Sequence, residues 1–348
     1  MVLVKDSFLS STHGQFGCTA CHHGDDTATD KEAAHAGLVA MPSDSTDVFC
    51  GGCHEATMEK HQSSLHVSQK GYYALIEKRL GRDVSTDENI VPMFNKECGK
   101  CHASCGQCHI SRPISTGGGF VDGHNFFGEP DQKLNCTACH GSRVGAEYFG
   151  ENEGIKSDVH WIPNVKKCSY CHSAEAMHGS SPGAEHRYDD EDMVRCEDCH
   201  EGTKEANQFH ETHWGDLACQ VCHSQPYKNC NGCHTGGEGI TGSSYMTFKI
   251  AKNPRKSDLR PYDIAVVRHI PISRDTYASW GIADLPNYDS EPTWKYATPH
   301  NIQRWTAQTD TTGSVWCGVK CHGSDFFLTL DDLDPDEVEA NKEYVLTR

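Results

Sequence analysis

Nine times the chain reads Cys-x-x-Cys-His. The sites are Cys18-Cys21-His22, Cys50-Cys53-His54, Cys98-Cys101-His102, Cys105-Cys108-His109, Cys136-Cys139-His140, Cys168-Cys171-His172, Cys196-Cys199-His200, Cys219-Cys222-His223 and Cys230-Cys233-His234. A tenth site is one residue longer and runs Cys317-Gly318-Val319-Lys320-Cys321-His322. Together they use all 20 cysteines. With 23 histidines in 348 residues, His after every second cysteine has a chance probability of order 10⁻¹². Two thiols on one short turn, followed at once by an imidazole, suit covalent capture of a porphyrin. The thiols add to its two vinyl groups, and the imidazole falls below the ring, where it can ligate the iron.

Other uses of paired cysteines fit less well. A zinc ribbon does not require His after every second cysteine. A disulfide scaffold does not keep one short spacing ten times over. The run from Cys98 to Cys108 reads C-x2-C-x3-C-x2-C, unlike the ferredoxin run C-x2-C-x2-C-x3-C-P. Thiol redox chemistry needs the thiols that thioether bonds would consume.

On these motifs the chain resembles the multihaem c-type cytochromes, over residues 18–234 and 317–322. Its motif count makes it decahaem, and no subfamily is singled out. The tenth site departs from the usual spacing, and longer variants occur in the family. The resemblance implies ten covalent haems c, with the histidine of each motif as the proximal ligand.

Thirteen histidines lie outside the motifs, enough to give ten irons a second imidazole each. The expected distal ligands are His13, His35, His66, His124, His160, His178, His186, His210, His213 and His300. His23, His61 and His269 rank last. His23 abuts proximal His22 and could serve only a neighbouring haem. His61 lies seven residues from His54, on the same face if that segment is helical. His269 ends the apolar run that starts at Ile264, which has strand character and suits a core imidazole. Most or all irons are therefore expected to be low-spin, bis-histidine and low in potential.

The elements that must hold these sites read as short helices and long coil wrapped around closely packed haems, with little β structure. Residues 55–66 and 71–80 look helical. Asp334-Pro335-Asp336-Glu337 reads as a helix start, with Asp334 as N-cap and Pro at the first position. Residues 117–119 and 179–183 read as glycine loops. Only Ala103 and Ser104 separate His102 from Cys105, so those two porphyrins must be neighbours. The chain divides into a nine-motif region (1–234), a cysteine-free, aromatic-rich segment packing on haems or partners (235–316), and the tenth site with an acidic tail (317–348).

Composition agrees. The hydrophobic fraction is 36 % with the cysteines counted, and roughly 30 % without them, short of the ~45–50 % of ordinary domains. Porphyrin faces are expected to replace the missing aliphatic core. The 31 Lys and Arg against 49 Asp and Glu give −18, which argues against nucleic acid as a partner. No apolar run of ~20 residues is present, so an integral membrane protein is not expected. Haem propionates would make the charge more negative. Calcium beside them would be one compensating cation, although no dedicated calcium loop is seen.

Ten tethered haems make sense as a path for electrons over distance. The leading expectation is an electron carrier rather than an enzyme. It would work in the periplasm or outside the cell, since covalent attachment happens beyond the cytoplasm, with the export signal absent from this chain. Redox proteins or extracellular acceptors would be its partners, and copies could polymerise into a filament. The porin-plugging decahaem type is similar in haem number, but the 82-residue gap departs from it. The alternative is an oxidoreductase of nitrogen or sulfur compounds with one open-site haem. The C-x-x-C-K signature of ammonia-forming nitrite reductases is absent. Tyr245, Tyr262, Tyr277 and Tyr296 are the tyrosines that could modify a catalytic haem, as in the hydroxylamine oxidoreductases.

Overall fold

The computed structural model describes residues 4–99, 103–181, 183–229, 244–310, 312, 317–323 and 325–347. Cys101, His102, Cys230, Cys233 and His234, and the side chain of Cys317, lie outside the described residues.

Short helices and coil dominate, as the sequence predicts. Most helices have four to six residues, and the longest, Lys70–Leu80, has 11. Many of the shortest are the motifs themselves. The spacing explains why: a Cys at i, a Cys at i+3 and a His at i+4 share one face of a single turn. That turn is closed by the i+4 backbone bond from the His N–H to the first Cys carbonyl. Its length is 2.9 Å in His22→Cys18, His54→Cys50, His172→Cys168 and His200→Cys196, and 3.1 Å in His223→Cys219.

The chain forms two compact units, each drawn from separated segments. The first comprises 1–69, 95–141 and 167–184, and the second 70–94, 142–166 and 185–348. In the first unit, residues 55–66 do not make one helix. Glu55–Ser63 is followed by Leu65–Ser68, because Ser64 turns to extended backbone at ψ 150°. Helix Ala174–His178 packs against Glu55–Ser63. Gly179 ends that helix at φ +97°, and a Cβ there would stand 2.7 Å from the Lys60 carbonyl. The close approach therefore needs glycine on both counts.

The second unit departs from the expectation that haem faces replace a core. Among the described residues, five strands form two antiparallel sheets: β1 (Tyr227–Lys228) with β2 (Met246–Thr247), and β3 (Lys249–Lys252), β4 (Ile264–His269) and β5 (Trp294–Tyr296) in that order. In β4, residues 265–269 are all buried, so the strand is covered on both faces and its apolar residues, Ile264–Val267, run without alternation. Ile250, Ala265, Val266, Tyr227 and Tyr296 form one buried cluster, and Ala251, Val267, Trp294 and Leu328 another. Much of the cysteine-free segment thus carries an aliphatic and aromatic core of its own. No helix among the described residues is long and apolar enough to cross a membrane.

Candidate metal centres

Three motif turns present their imidazoles in a fixed tautomer. His22 donates Nδ1–H to the Val39 carbonyl at 2.7 Å, His109 to Phe127 at 2.7 Å and His223 to Gln303 at 3.2 Å. A carbonyl can only accept, so the proton sits on Nδ1 and Nε2 is left with its lone pair outward. The same device recurs on histidines outside the motifs. His210 Nδ1 meets the Thr203 carbonyl at 2.8 Å, and His160 Nδ1 meets the Asp158 carboxylate at 2.7 Å.

These prepared imidazoles face one another. Two rings on opposite sides of one metal ion, with nitrogen–metal bonds of about 2.0 Å, have centroids roughly 6.3 Å apart. Six of the eight described motif histidines have a non-motif histidine near that separation. In the first unit the pairs are His54 with His13 (6.2 Å), His22 with His124 (6.0 Å), His140 with His66 (6.3 Å) and His109 with His178 (6.1 Å). In the second they are His200 with His160 (6.1 Å) and His223 with His210 (6.1 Å). Burial lowers the pKa of His13, His66, His178 and His223, and a neighbouring imidazole adds to each effect. Neutral rings with free lone pairs are what a metal requires.

The other candidates are placed differently. His35 donates Nδ1–H to the Lys31 carbonyl at 2.7 Å, and His300 to Thr298 at 2.8 Å. His213 is exposed at the end of helix Gln208–His213. His186 is buried, stacks on Tyr188 at 4.5 Å, and is pushed down to about 3 by burial and then by Arg187, Arg255 and two lysines. His322, in the tenth motif, has Phe327 beside it at 5.8 Å. His23 stands at φ +56° beside Phe49. His269 has both ring nitrogens engaged, by Glu337 and Tyr245.

His61 departs from its low ranking. It is 8 % exposed, and both ring nitrogens are buried without a hydrogen-bond partner. It lies 6.0 Å from His178. Unpaired buried nitrogens are costly unless something is bound to them. The seven-residue offset from His54 suggested one helical face. The break at Ser64 instead leaves His61 near the end of its helix, facing His178 and His66.

Thiols of different motifs also meet. The Cys50 thiol is pushed up first by its hydrogen bond to Cys105, Cys136 by Cys168, and Cys219 by Cys196. Burial and then Cys50 raise Cys21, and burial and then Cys139 raise Cys108. Porphyrins tethered there would have their thioether edges side by side.

Four motifs expose an apolar side chain at one fixed offset, as a flat apolar group beside them would require. Phe16, Val48, Leu134 and Val194 each lie two residues before a first cysteine and are 60, 65, 40 and 42 % exposed. The sequence reading missed these four, though aligning the motifs on their first cysteine reveals them.

No protein-family model matches the chain, and no curated protein does. Among solved structures, it is similar to an octaheme cytochrome c from Shewanella oneidensis, with 17 % identity and a TM-score of 0.34. The match covers 60 % of this chain and 62 % of that one. An overlap this slight carries no function across.

Proposed function

We propose that this chain is a multihaem electron-transfer protein holding ten covalent haems c and working in the periplasm or outside the cell. The observation that carries the reading is the set of six histidine pairs 6.0–6.3 Å apart, each with one member in a motif. His61 would serve one of the two remaining irons of the first unit. Bound haem would supply one-electron Fe(III)/Fe(II) chemistry at each site. The residues' own part is to fix position and order. The thiol contacts would line up the sites that begin at Cys18, Cys50, Cys105, Cys136 and Cys168 in one unit, and at Cys196 and Cys219 in the other. Two imidazoles per iron would leave no position for a substrate, which favours transfer over catalysis. Assembly into a filament is compatible with this reading, with a surplus histidine ligating an iron of the next copy.

The test is carbon monoxide binding to the dithionite-reduced holoprotein, run beside turnover assays with nitrite, hydroxylamine and tetrathionate. Binding at no more than about one iron in ten, with no turnover, is the expected result. Binding at several irons, or catalytic consumption of any of the three, would replace this reading with that of an oxidoreductase.

A further inference from the structure

His269, at the end of β4, belongs to no motif pair, yet its ring is held with unusual completeness. It stacks on Trp294 at 5.0 Å and 22°. Its Nδ1 meets the Tyr245 hydroxyl at 3.2 Å, and its Nε2 meets the two Glu337 carboxylate oxygens at 2.8 and 3.0 Å. Glu337 is 1 % exposed. A carboxylate that deep is costly unless its charge is matched, and a neutral imidazole offers it only one proton.

Asp334 adds a second, independent observation. Its backbone is extended, as an N-cap should be before the turn Pro335–Glu337, but its side chain makes no capping bond. Instead one carboxylate oxygen lies with an oxygen of Glu337 and a nitrogen of His269, all within 4.8 Å of one another. Two carboxylates side by side are stabilised by a cation shared between them. Arg79 gives Glu337 part of that charge from a guanidinium bonded to the Tyr288 and Pro292 carbonyls, and Lys249 is paired with Asp332 at 2.5 Å, so neither bridges the pair.

We propose that His269 Nε2 and the carboxylates of Glu337 and Asp334 form a site for a divalent transition metal of the zinc class, separate from the motif irons. One imidazole nitrogen with two carboxylates is a mixed donor set that zinc accepts, whereas calcium and magnesium favour oxygen alone. With a metal on Nε2, the proton moves to Nδ1 and is donated to the Tyr245 oxygen, which fixes the ring from behind. Exposed Asp334 leaves a fourth position open toward solvent, the arrangement of a Lewis-acid site rather than a closed structural one. The ion would also tie the turn at Pro335 to the sheet.

The test uses the haem-loaded full chain, freed of loose metal with EDTA and titrated with Zn²⁺ by calorimetry. One equivalent per chain is expected. Asp334→Asn and Glu337→Gln should each weaken binding at least tenfold, and Tyr245→Phe by about tenfold. Asp334 is exposed, so its variant keeps the test valid if Glu337→Gln fails to fold. No stoichiometric binding, or an affinity unchanged in Asp334→Asn, overturns the proposal. Exposed His35 and His213 could bind zinc adventitiously, and such binding would persist in that variant.

Discussion

Asp158 illustrates what one buried carboxylate would do to a proposed metal ligand. It is 2 % exposed, and Oδ1 accepts from the His160 backbone at 2.8 Å and from its Nδ1 at 2.7 Å. Oδ2 accepts from the Ile302 N–H at 2.8 Å. The hydrogen bond to Asp158 raises the His160 pKa above its ordinary value. On an iron, an imidazole so paired is the stronger donor and favours the ferric state. Asp158→Asn should therefore raise the midpoint potential of the site bearing His200, by about 60 mV for a tenfold change in relative affinity. Spectroelectrochemical titration of the variant against wild type checks this. An unchanged potential would show that Asp158 merely holds the loop. The histidines were legible because their number and motif spacing select them. Asp158 was not, since an Asp two residues before a His is common and only folding buries it. The burial of His61 was not legible because it depends on a helix break that Ser64 does not announce.

At the scale of elements, helix Lys70–Leu80 and strand β4 were readable, since each is a run long enough to show its period or its apolarity. Strands β3 and β5 were not. Lys249-Ile-Ala-Lys and Trp294-Lys-Tyr are too short for a pattern, and each puts a lysine in a sheet. Lys295 is the informative one. Its side chain is 10 % exposed, with Glu291 at 3.3 Å. Burial, aided by Arg79, holds its ammonium down to about 7. The folded-state value lies below the unfolded one, so the unfolded chain binds the proton first as pH falls. Stability should thus rise between about pH 7 and 10, with a limiting slope of about 1.4 kcal/mol per pH unit. Lys295→Met should remove that rise relative to wild type. Urea midpoints at several pH values measure it, and parallel profiles for the two proteins would show that the lysine is not desolvated.

For the whole molecule, charge, surface and ligation point the same way. A chain at −18 with 23 histidines and 20 cysteines has little reason to collapse on its own. Its first unit offers motif turns, paired imidazoles and exposed apolar side chains, and its second adds a modest sheet core. The general architecture was legible because the cysteines dictate it. The sheet was hidden because a cysteine-free stretch of mixed aromatics carries no register signal. Everything at this scale depends on whether prosthetic groups fill the space beside each motif, and the intact mass of the purified, denatured chain decides that. The expected spectrum shows one species heavier than the polypeptide by ten haems, unreactive toward thiol reagents. A species at the bare polypeptide mass whose 20 sulfhydryls can be alkylated would contradict it.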